Sequence, residues 1–125
     1  MIRVVHFPVD GPPEVRTIDM EPATHNLDAV RGFLGGWPGY LPLPLHLGVR
    51  DMEICFDDDG LLRRLPPNQN TVVAGIPINR LVRLADGLHL TGPFFVARTT
   101  GDDRGYFVDL HDEDITLLLG KRAAS

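Results

Sequence analysis

A length of 125 residues is typical of one domain, and we expect a single domain over residues 1–125. Hydrophobic residues make up 43% of the chain and charged residues 23%, which is typical of a globular protein and argues against a disordered one. The formal net charge of -5 argues against a general nucleic-acid binder, because such proteins present a basic surface. No apolar run approaches the roughly 20 residues that a membrane helix requires, so we expect no membrane partner.

The single cysteine, Cys55, indicates a reducing compartment, because it has no partner in the chain for a disulfide. The apolar start of the chain is too short for a signal peptide, and we therefore predict a cytoplasmic protein. Cys55 lies between Ile54 and Phe56 in an apolar run, and this pattern favours a small buried residue over a nucleophile.

The chain opens with the pattern of a hairpin. Ile2 to Val9 is rich in β-branched and aromatic residues, and Glu14 to Met20 alternates polar and apolar residues with a period of two. Asp10-Gly11 lies between these runs and is typical of a tight turn. We therefore predict two paired strands at the start of the chain.

A short helix is predicted near residues 25–34, because apolar residues recur there every three or four positions: Leu27, Val30, Phe33 and Leu34. Thr24 or Asn26 can cap its amino terminus, and Gly35-Gly36 is typical of a helix end.

The segment from Trp37 to Val49 combines alternating leucines with three prolines. Proline cannot donate to a central sheet ladder, so the pattern favours an edge strand or a polyproline-like segment. If the protein forms a homo-oligomer, the edge from Leu41 to Val49 is its expected contact. For Trp37 and Tyr40, a core aromatic and a rim tyrosine are favoured over residues that line a pocket.

The acidic segment Asp57–Gly60 separates two runs with strand-like composition, Met52–Phe56 and Leu61–Leu65. Asp-Gly between such runs predicts a hairpin, because both residues tolerate the required backbone angles. A calcium loop with its glycine at Gly60 would place Cys55 and Pro66 at its first and last ligand positions, where carboxylates are needed. We therefore predict no metal here.

The loop that follows is the candidate binding site. Pro66 and Pro67 restrict the backbone, so the polar side chains after them are presented with little freedom to lose on binding. Alternatively, Asn68 and Asn70 satisfy backbone groups within the loop, as asparagines in turns commonly do. The candidate ligand-binding residues in the loop at 65–80 are Pro67, Asn68, Asn70, Asn79 and Arg80.

The last third of the chain predicts a further hairpin and a closing helix. Phe94–Thr99 and Tyr106–Leu110 have strand patterns and flank a polar loop. A helix near residues 111–120 is favoured by the acidic residues in its first turn and by a hydrophobic staple between Leu110 and Ile115. The predicted fold is therefore α+β, a small and mainly antiparallel sheet of hairpins with two helices.

The order of these motifs resembles a family known as a domain of unknown function, which occurs in bacteria, phages and plasmids, especially actinobacterial ones. The resemblance covers Ile2 to Leu119. It rests on the acidic-Gly turn before Leu65–Asn68, then Gly92–Val96, then Asp109–Leu110 with Asp112–Glu113 opening the last helix. It implies the architecture and a phage, plasmid or other mobile-element setting, and it implies no catalytic residue.

Neither a catalytic constellation nor a cofactor motif is found. The chain's one serine, Ser125, excludes a Gly-x-Ser-x-Gly elbow, and its five histidines form no zinc-ligand spacing. The sequence therefore favours a non-enzymatic accessory protein that binds a small polar or nucleotide-like ligand at the 65–80 loop. In this hypothesis, the neutralising charges are Arg63, Arg64 and Arg83.

The alternative is an acidic inhibitor or decoy protein that binds a basic surface of a host or defence protein. Its contact face would combine three acidic segments, Asp57–Asp59, Asp102–Asp103 and Asp109–Asp114.

Overall fold

A computed structural model describes residues 1–43, 51–60, 63–81, 89–102 and 104–120, and it has the predicted α+β architecture. Its strands are β1 (Ile2–Phe7), β2 (Glu14–Ile18), β3 (Pro38–Pro42), β4 (Met52–Asp57), β5 (Val72–Val73), β6 (Ile76–Pro77), β7 (Phe94–Thr99) and β8 (Phe107–Val108). The helices are α1 (Leu27–Leu34) and α2 (Asp112–Leu119), and a 3-10 turn spans Ile78–Arg80. Some predictions concern residues outside these described ranges. They are the predictions for Leu61, Leu62, Arg83 and Asp103, and for the part of the predicted edge at 44–50.

The main sheet has the strand order β2-β1-β7-β4-β3, and β8 pairs with the carboxyl-terminal end of β7. The pairings described are all antiparallel, which confirms a mainly antiparallel sheet with a first hairpin of β1 and β2. β3 is an edge strand, as the prolines at its two ends require. β5 and β6 form a separate small hairpin.

The predicted hairpin between Met52–Phe56 and Leu61–Leu65 is wrong. β4 has β3 on one side and β7 on the other, so neither of its edges is open to a following strand. The chain instead turns away after Asp57, where the Gly60 amide donates to the Asp57 carbonyl at 3.1 Å. The buried Asp57 carboxylate accepts the Asp59 amide at 3.0 Å and pairs with Arg63, so the turn chemistry was predicted correctly and the strand was not.

Helix α1 packs on one face of the sheet and helix α2 packs on the other. A separate hydrophobic core lies between each helix and the sheet. On the face that α1 covers, Val30 and Leu34 pack with Cys55 and Phe95. Burial raises the pKa of the Cys55 thiol, so this residue is the buried apolar residue that the pattern favoured. On the face that α2 covers, Leu118 packs against β1, β4 and β7. Sites on the two faces are therefore separated by the sheet.

The helix ends agree with the predicted signals. Asn26 caps α1 by accepting the Ala29 amide at 3.0 Å on its side-chain oxygen, and Gly35 ends the helix with a φ of 91°. At α2, Leu110 is buried beside Ile115, as a hydrophobic staple requires. In the described part of the chain, neither helix has the length and apolar character needed to cross a membrane.

Candidate functional site

The predicted binding loop is built around Asn68, whose side chain is completely buried. Its amide nitrogen donates to the carbonyls of Phe7 at 2.9 Å and Gly92 at 3.0 Å, and its oxygen accepts the Asn70 backbone amide at 2.8 Å. The side chain thus satisfies three backbone groups that would otherwise be left unpaired inside the protein. Of the two roles considered for Asn68, the geometry supports the structural one, and a ligand cannot reach this side chain in this structure.

The Asn70 side chain also satisfies backbone carbonyls. Its side-chain nitrogen donates to the Pro8 carbonyl at 2.8 Å and the Gly11 carbonyl at 3.0 Å. The Gln69 backbone amide also donates to the Val9 carbonyl, at 2.8 Å. The loop is therefore fastened along the turn that joins β1 to β2, and its amide side chains hold these segments together.

The remaining candidates of the loop lie apart from Asn68. Asn79 and Arg80 are exposed on the 3-10 turn, and exposed Pro67 forms an isolated bridge with Thr91. Arg63, predicted to neutralise a ligand's charge, pairs instead with Asp57 and donates to the Gly35 carbonyl at 2.8 Å. Ligand binding by Pro67, Asn79 and Arg80 stays a prediction.

A pocket of about 350 Å³ lies elsewhere, on the face of the sheet that α1 covers. Its walls come from the segment that leads into α1 together with the start of α1, from β3 and β4, and from the loop between β7 and β8 together with the start of β8. The first wall is fixed to the third, because the Ala23 amide donates to the Phe107 carbonyl at 2.8 Å. The volume is at the small end of the range for ligand sites, roughly 300–1,000 Å³. The lining residues are Met20, Thr24, His25, Asn26, Leu27, Val30, Tyr40, Glu53, Asp102, Arg104, Gly105, Tyr106 and Phe107.

The loop between β7 and β8 is held in shape by Asp102. Its carboxylate accepts the Thr100 hydroxyl at 2.7 Å, the Arg104 backbone amide at 3.0 Å, and Arg104 Nε and Nη2 at 3.0 and 2.9 Å. The hydrogen bonds from Thr100 and Arg104 lower the pKa of Asp102 to about 2. The Arg104 guanidinium also lies 5.0 Å from the centre of the Tyr106 ring. The charges of Asp102 and Arg104 therefore compensate each other at the pocket wall.

Aromatic rings form much of the remaining surface. The rings of His25 and Tyr106 are 5.9 Å apart, and those of Tyr40 and Phe107 are also 5.9 Å apart. Tyr40 is 47% exposed, so the predicted rim position holds, and the residue lines the pocket as well. Trp37 was predicted to be a core aromatic, and this is wrong. It is 52% exposed, with the Arg31 guanidinium 3.9 Å from its ring centre, because β3 begins at the sheet edge.

Among the charged residues of the pocket, Glu53 has no partner in the described structure. No side chain in the described part of the chain donates a hydrogen bond to its carboxylate or forms an ion pair with it. It is half-buried on β4, opposite Pro42 of β3 and diagonal to Tyr40, which lies two residues earlier on that strand. Burial raises the pKa of Glu53, since water is partly removed from a charge that nothing nearby compensates. Burial also raises the pKa of Tyr40, and the charges of Cys55 and Glu53 add to the increase.

Two further polar side chains of the pocket, Asn26 and Thr24, are already used within the chain. The Asn26 side-chain oxygen caps α1, and the Thr24 hydroxyl donates to the Glu21 carbonyl at 2.6 Å. An incoming molecule would therefore meet Glu53, two tyrosines and His25 against an apolar background of Met20, Leu27, Val30 and Phe107. This arrangement can bind a small molecule without breaking any existing hydrogen bond.

The predicted acidic contact face is largely occupied by internal ion pairs. Asp57 is buried against Arg63, and Asp114 is buried against Arg98. Asp109 and Asp112 both pair with Arg3, at 3.2 and 2.9 Å. These acidic residues are thus paired within the chain at separate places in the fold. Within the described ranges, no three histidine, cysteine or acidic side chains come together as a metal site would require.

Comparison with known proteins identifies a family for this chain. A family model described as Domain of unknown function (DUF3846) matches residues 2–123, nearly the whole chain. A search of curated proteins and a search of solved structures found no match.

Proposed function

Since the chain belongs to the DUF3846 family, a domain of unknown function, we propose its role from its geometry: it is a non-enzymatic module that binds a small organic molecule in the pocket around Glu53. The proposal keeps the ligand-binding role favoured by the sequence and moves the site. The pocket lies on the α1 face of the sheet, away from the loop at 65–80.

One observation carries the proposal. Glu53 places a half-buried carboxylate at the wall of a 350 Å³ pocket, and no described side chain compensates it. Withdrawing a charged group from water without a partner is unfavourable for folding, so such a group is a candidate for a binding role. A concave site with an apolar lining and few unpaired polar groups is also the usual form of a small-molecule site.

Binding without chemistry is favoured by how the pocket's polar groups are arranged. A side-chain nucleophile is usually activated by a base within hydrogen-bond reach. Among the described residues, the Glu53 carboxylate has no such hydrogen bond to a hydroxyl, thiol or imidazole group. We therefore propose that Glu53 recognises a ligand and does not activate one.

The proposal is tested by a ligand screen in which the site is located by substitution. Compounds that raise the melting temperature of the full chain are retested on Tyr106→Ala, which alters the pocket, and on Arg80→Ala, which alters the predicted loop. We expect Tyr106→Ala to abolish the stabilisation and Arg80→Ala to retain it. The reverse pattern would return the site to the 65–80 loop. A broad screen without any stabilising compound would contradict the proposal.

For the wider setting of the protein, we propose what the sequence favoured. The resemblance favours an accessory protein of a phage, plasmid or other mobile element, and we propose a cytoplasmic location. A gene neighbourhood made up of phage or plasmid genes supports this setting, and one made up of chromosomal housekeeping genes opposes it.

A further inference from the structure

We infer that the pocket is selective for a small organic cation, an amine or amidinium group carried on an apolar or aromatic body, with Glu53 as its counter-ion. This inference rests on the proposed function, because it names the ligand class of the same pocket. It follows from the sum of charges at the walls, from the aromatic lining and from the size of the cavity.

The charge balance of the pocket comes first. Asp102 and Arg104 line the same wall and are joined by hydrogen bonds of 3.0 and 2.9 Å, so their charges cancel locally. Glu53 is then left as the lining charge without a partner in the described part of the chain. The acidic and basic side chains of the lining therefore sum to a net negative charge, which a cationic ligand would compensate.

The aromatic lining fits the same ligand class. Tyr40 and Tyr106 line the pocket, and aromatic faces attract cations through their quadrupole. The Arg104 guanidinium already uses the Tyr106 ring in this way, at 5.0 Å from the ring centre. Tyr40 has no such cation among the described residues, and its neighbour Glu53 carries the unpaired carboxylate. A cation placed beside Glu53 would therefore also lie close to the Tyr40 ring.

The same features disfavour an anion. A carboxylate or phosphate group would have to approach Glu53 without a compensating charge, since Arg104 is already paired with Asp102. Like charges brought together in a partly buried site oppose binding. The nucleotide-like ligand favoured by the sequence would therefore enter this pocket with its base and leave its phosphate outside.

Three probes of nearly equal size and different charge test the inference: benzamidine (cationic), benzamide (neutral) and benzoate (anionic). Each is titrated into the full chain near neutral pH, and binding is followed by the amide NMR signals of residues in the pocket wall. We expect benzamidine to shift these signals with an affinity at least roughly tenfold higher than that of benzamide, because its hydrogen bonds to a carboxylate are charge-assisted. Benzoate should leave the signals unchanged.

Substitution then assigns the preference to one carboxylate. Glu53→Gln keeps the shape of the side chain and removes its charge, so it should reduce the affinity for benzamidine to that for benzamide. Glu113→Gln makes the same change at an exposed acid on α2, across the sheet from the pocket, and should leave both affinities unchanged. Retained benzamidine preference in Glu53→Gln would overturn the inference.

The failures of the two proposals are distinguishable. If benzamide or benzoate shifts the pocket signals as strongly as benzamidine, the cation preference is wrong and the pocket still binds ligands. If none of the three probes shifts these signals, the cation preference is overturned, and the outcome of the broad screen decides on the proposed function.

Discussion

Asp114 on α2 receives two hydrogen bonds from Arg98 on β7, at 2.8 Å from Nε and 2.7 Å from Nη2. The same carboxylate accepts the His111 backbone amide at 2.8 Å, which caps the helix. Burial acts to raise the pKa of Asp114, but the hydrogen bonds from Arg98 and His111 outweigh it and hold the pKa below its ordinary value. One carboxylate thus both starts the closing helix and fastens it to the central strand.

Replacing Asp114 by alanine should therefore destabilise the protein strongly. The change leaves the largely buried Arg98 guanidinium without its partner and removes the cap, and we expect a loss of about 3 kcal/mol in the free energy of unfolding. Asp112→Ala is the control, because that carboxylate is exposed in its pair with Arg3 and should contribute about 1 kcal/mol or less. Urea unfolding measures both, and equal losses would contradict the assigned role of Asp114.

Asn68 gives a prediction that separates a structural residue from a ligand contact. Asn68→Asp keeps the size of the side chain but replaces its two hydrogen bonds to the Phe7 and Gly92 carbonyls by a buried carboxylate facing them. We expect a loss of about 3 kcal/mol in unfolding free energy, because one oxygen of a buried charged group then faces two carbonyl acceptors. Asn79→Asp, at an exposed position, should cost less than about 0.5 kcal/mol. Similar melting temperatures for the two variants would contradict the structural role.

Two glycines of the same segment should respond in opposite directions to alanine. A Cβ atom at Gly36 would overlap the Asp57 carboxylate and the Arg63 guanidinium, and we expect Gly36→Ala to cost about 2 kcal/mol. At Gly32, inside α1, a Cβ atom would meet nothing within 4 Å. Gly32→Ala should therefore stabilise the protein by about 0.5–1 kcal/mol through helix propensity. Thermal unfolding compares them, and a shift of the same sign in both would refute the packing argument.

His6 should make the protein less stable at mildly acidic pH. Its Nδ1 atom is buried without a hydrogen-bond partner in the described structure. Burial lowers the pKa of His6 from its ordinary value of 6.5, and the Arg16 charge lowers it further against a smaller opposite effect of Glu14. The unfolded chain therefore takes up the proton first, and stability decreases as the pH falls below 6.5.

The substitution His6→Phe tests this dependence, because it keeps a ring against Phe33 and removes the titrating group. Between about pH 7.5 and pH 5, the unfolding free energy of the wild type should decrease more than that of the variant. An equal decrease in both proteins would show that other groups cause the effect.

Local signals predicted the elements that depend on neighbours in sequence. Asn26 and Gly35 mark the ends of α1, and the prolines of β3 predicted an edge strand, because caps and missing backbone donors act over a few residues. The partner of β4 could not be predicted in this way. Asp57–Gly60 has the composition of a hairpin turn, but β7, far along the chain, occupies the place that the next strand would take.

The proposed site around Glu53 could not be predicted for the same reason. Glu53 looks like an ordinary polar residue in an alternating strand, and the residues that surround it come from three distant segments. The polar loop at 65–80 looked more like a site because its amides are concentrated in sequence. The buried Asn68 side chain donates to the carbonyls of Phe7 and Gly92. These partners are distant in sequence, so no local pattern reveals the structural role of Asn68.

The titration of the Glu53 carboxyl tests the central claim most directly. In the free protein, we expect its pKa to lie above the ordinary value of 4.5, because the group is desolvated and unpaired. With saturating benzamidine, followed by carbon NMR of the side chain, its pKa should decrease below the free-state value, since a bound cation stabilises the carboxylate. Binding of benzamidine with an unchanged Glu53 titration would contradict the account.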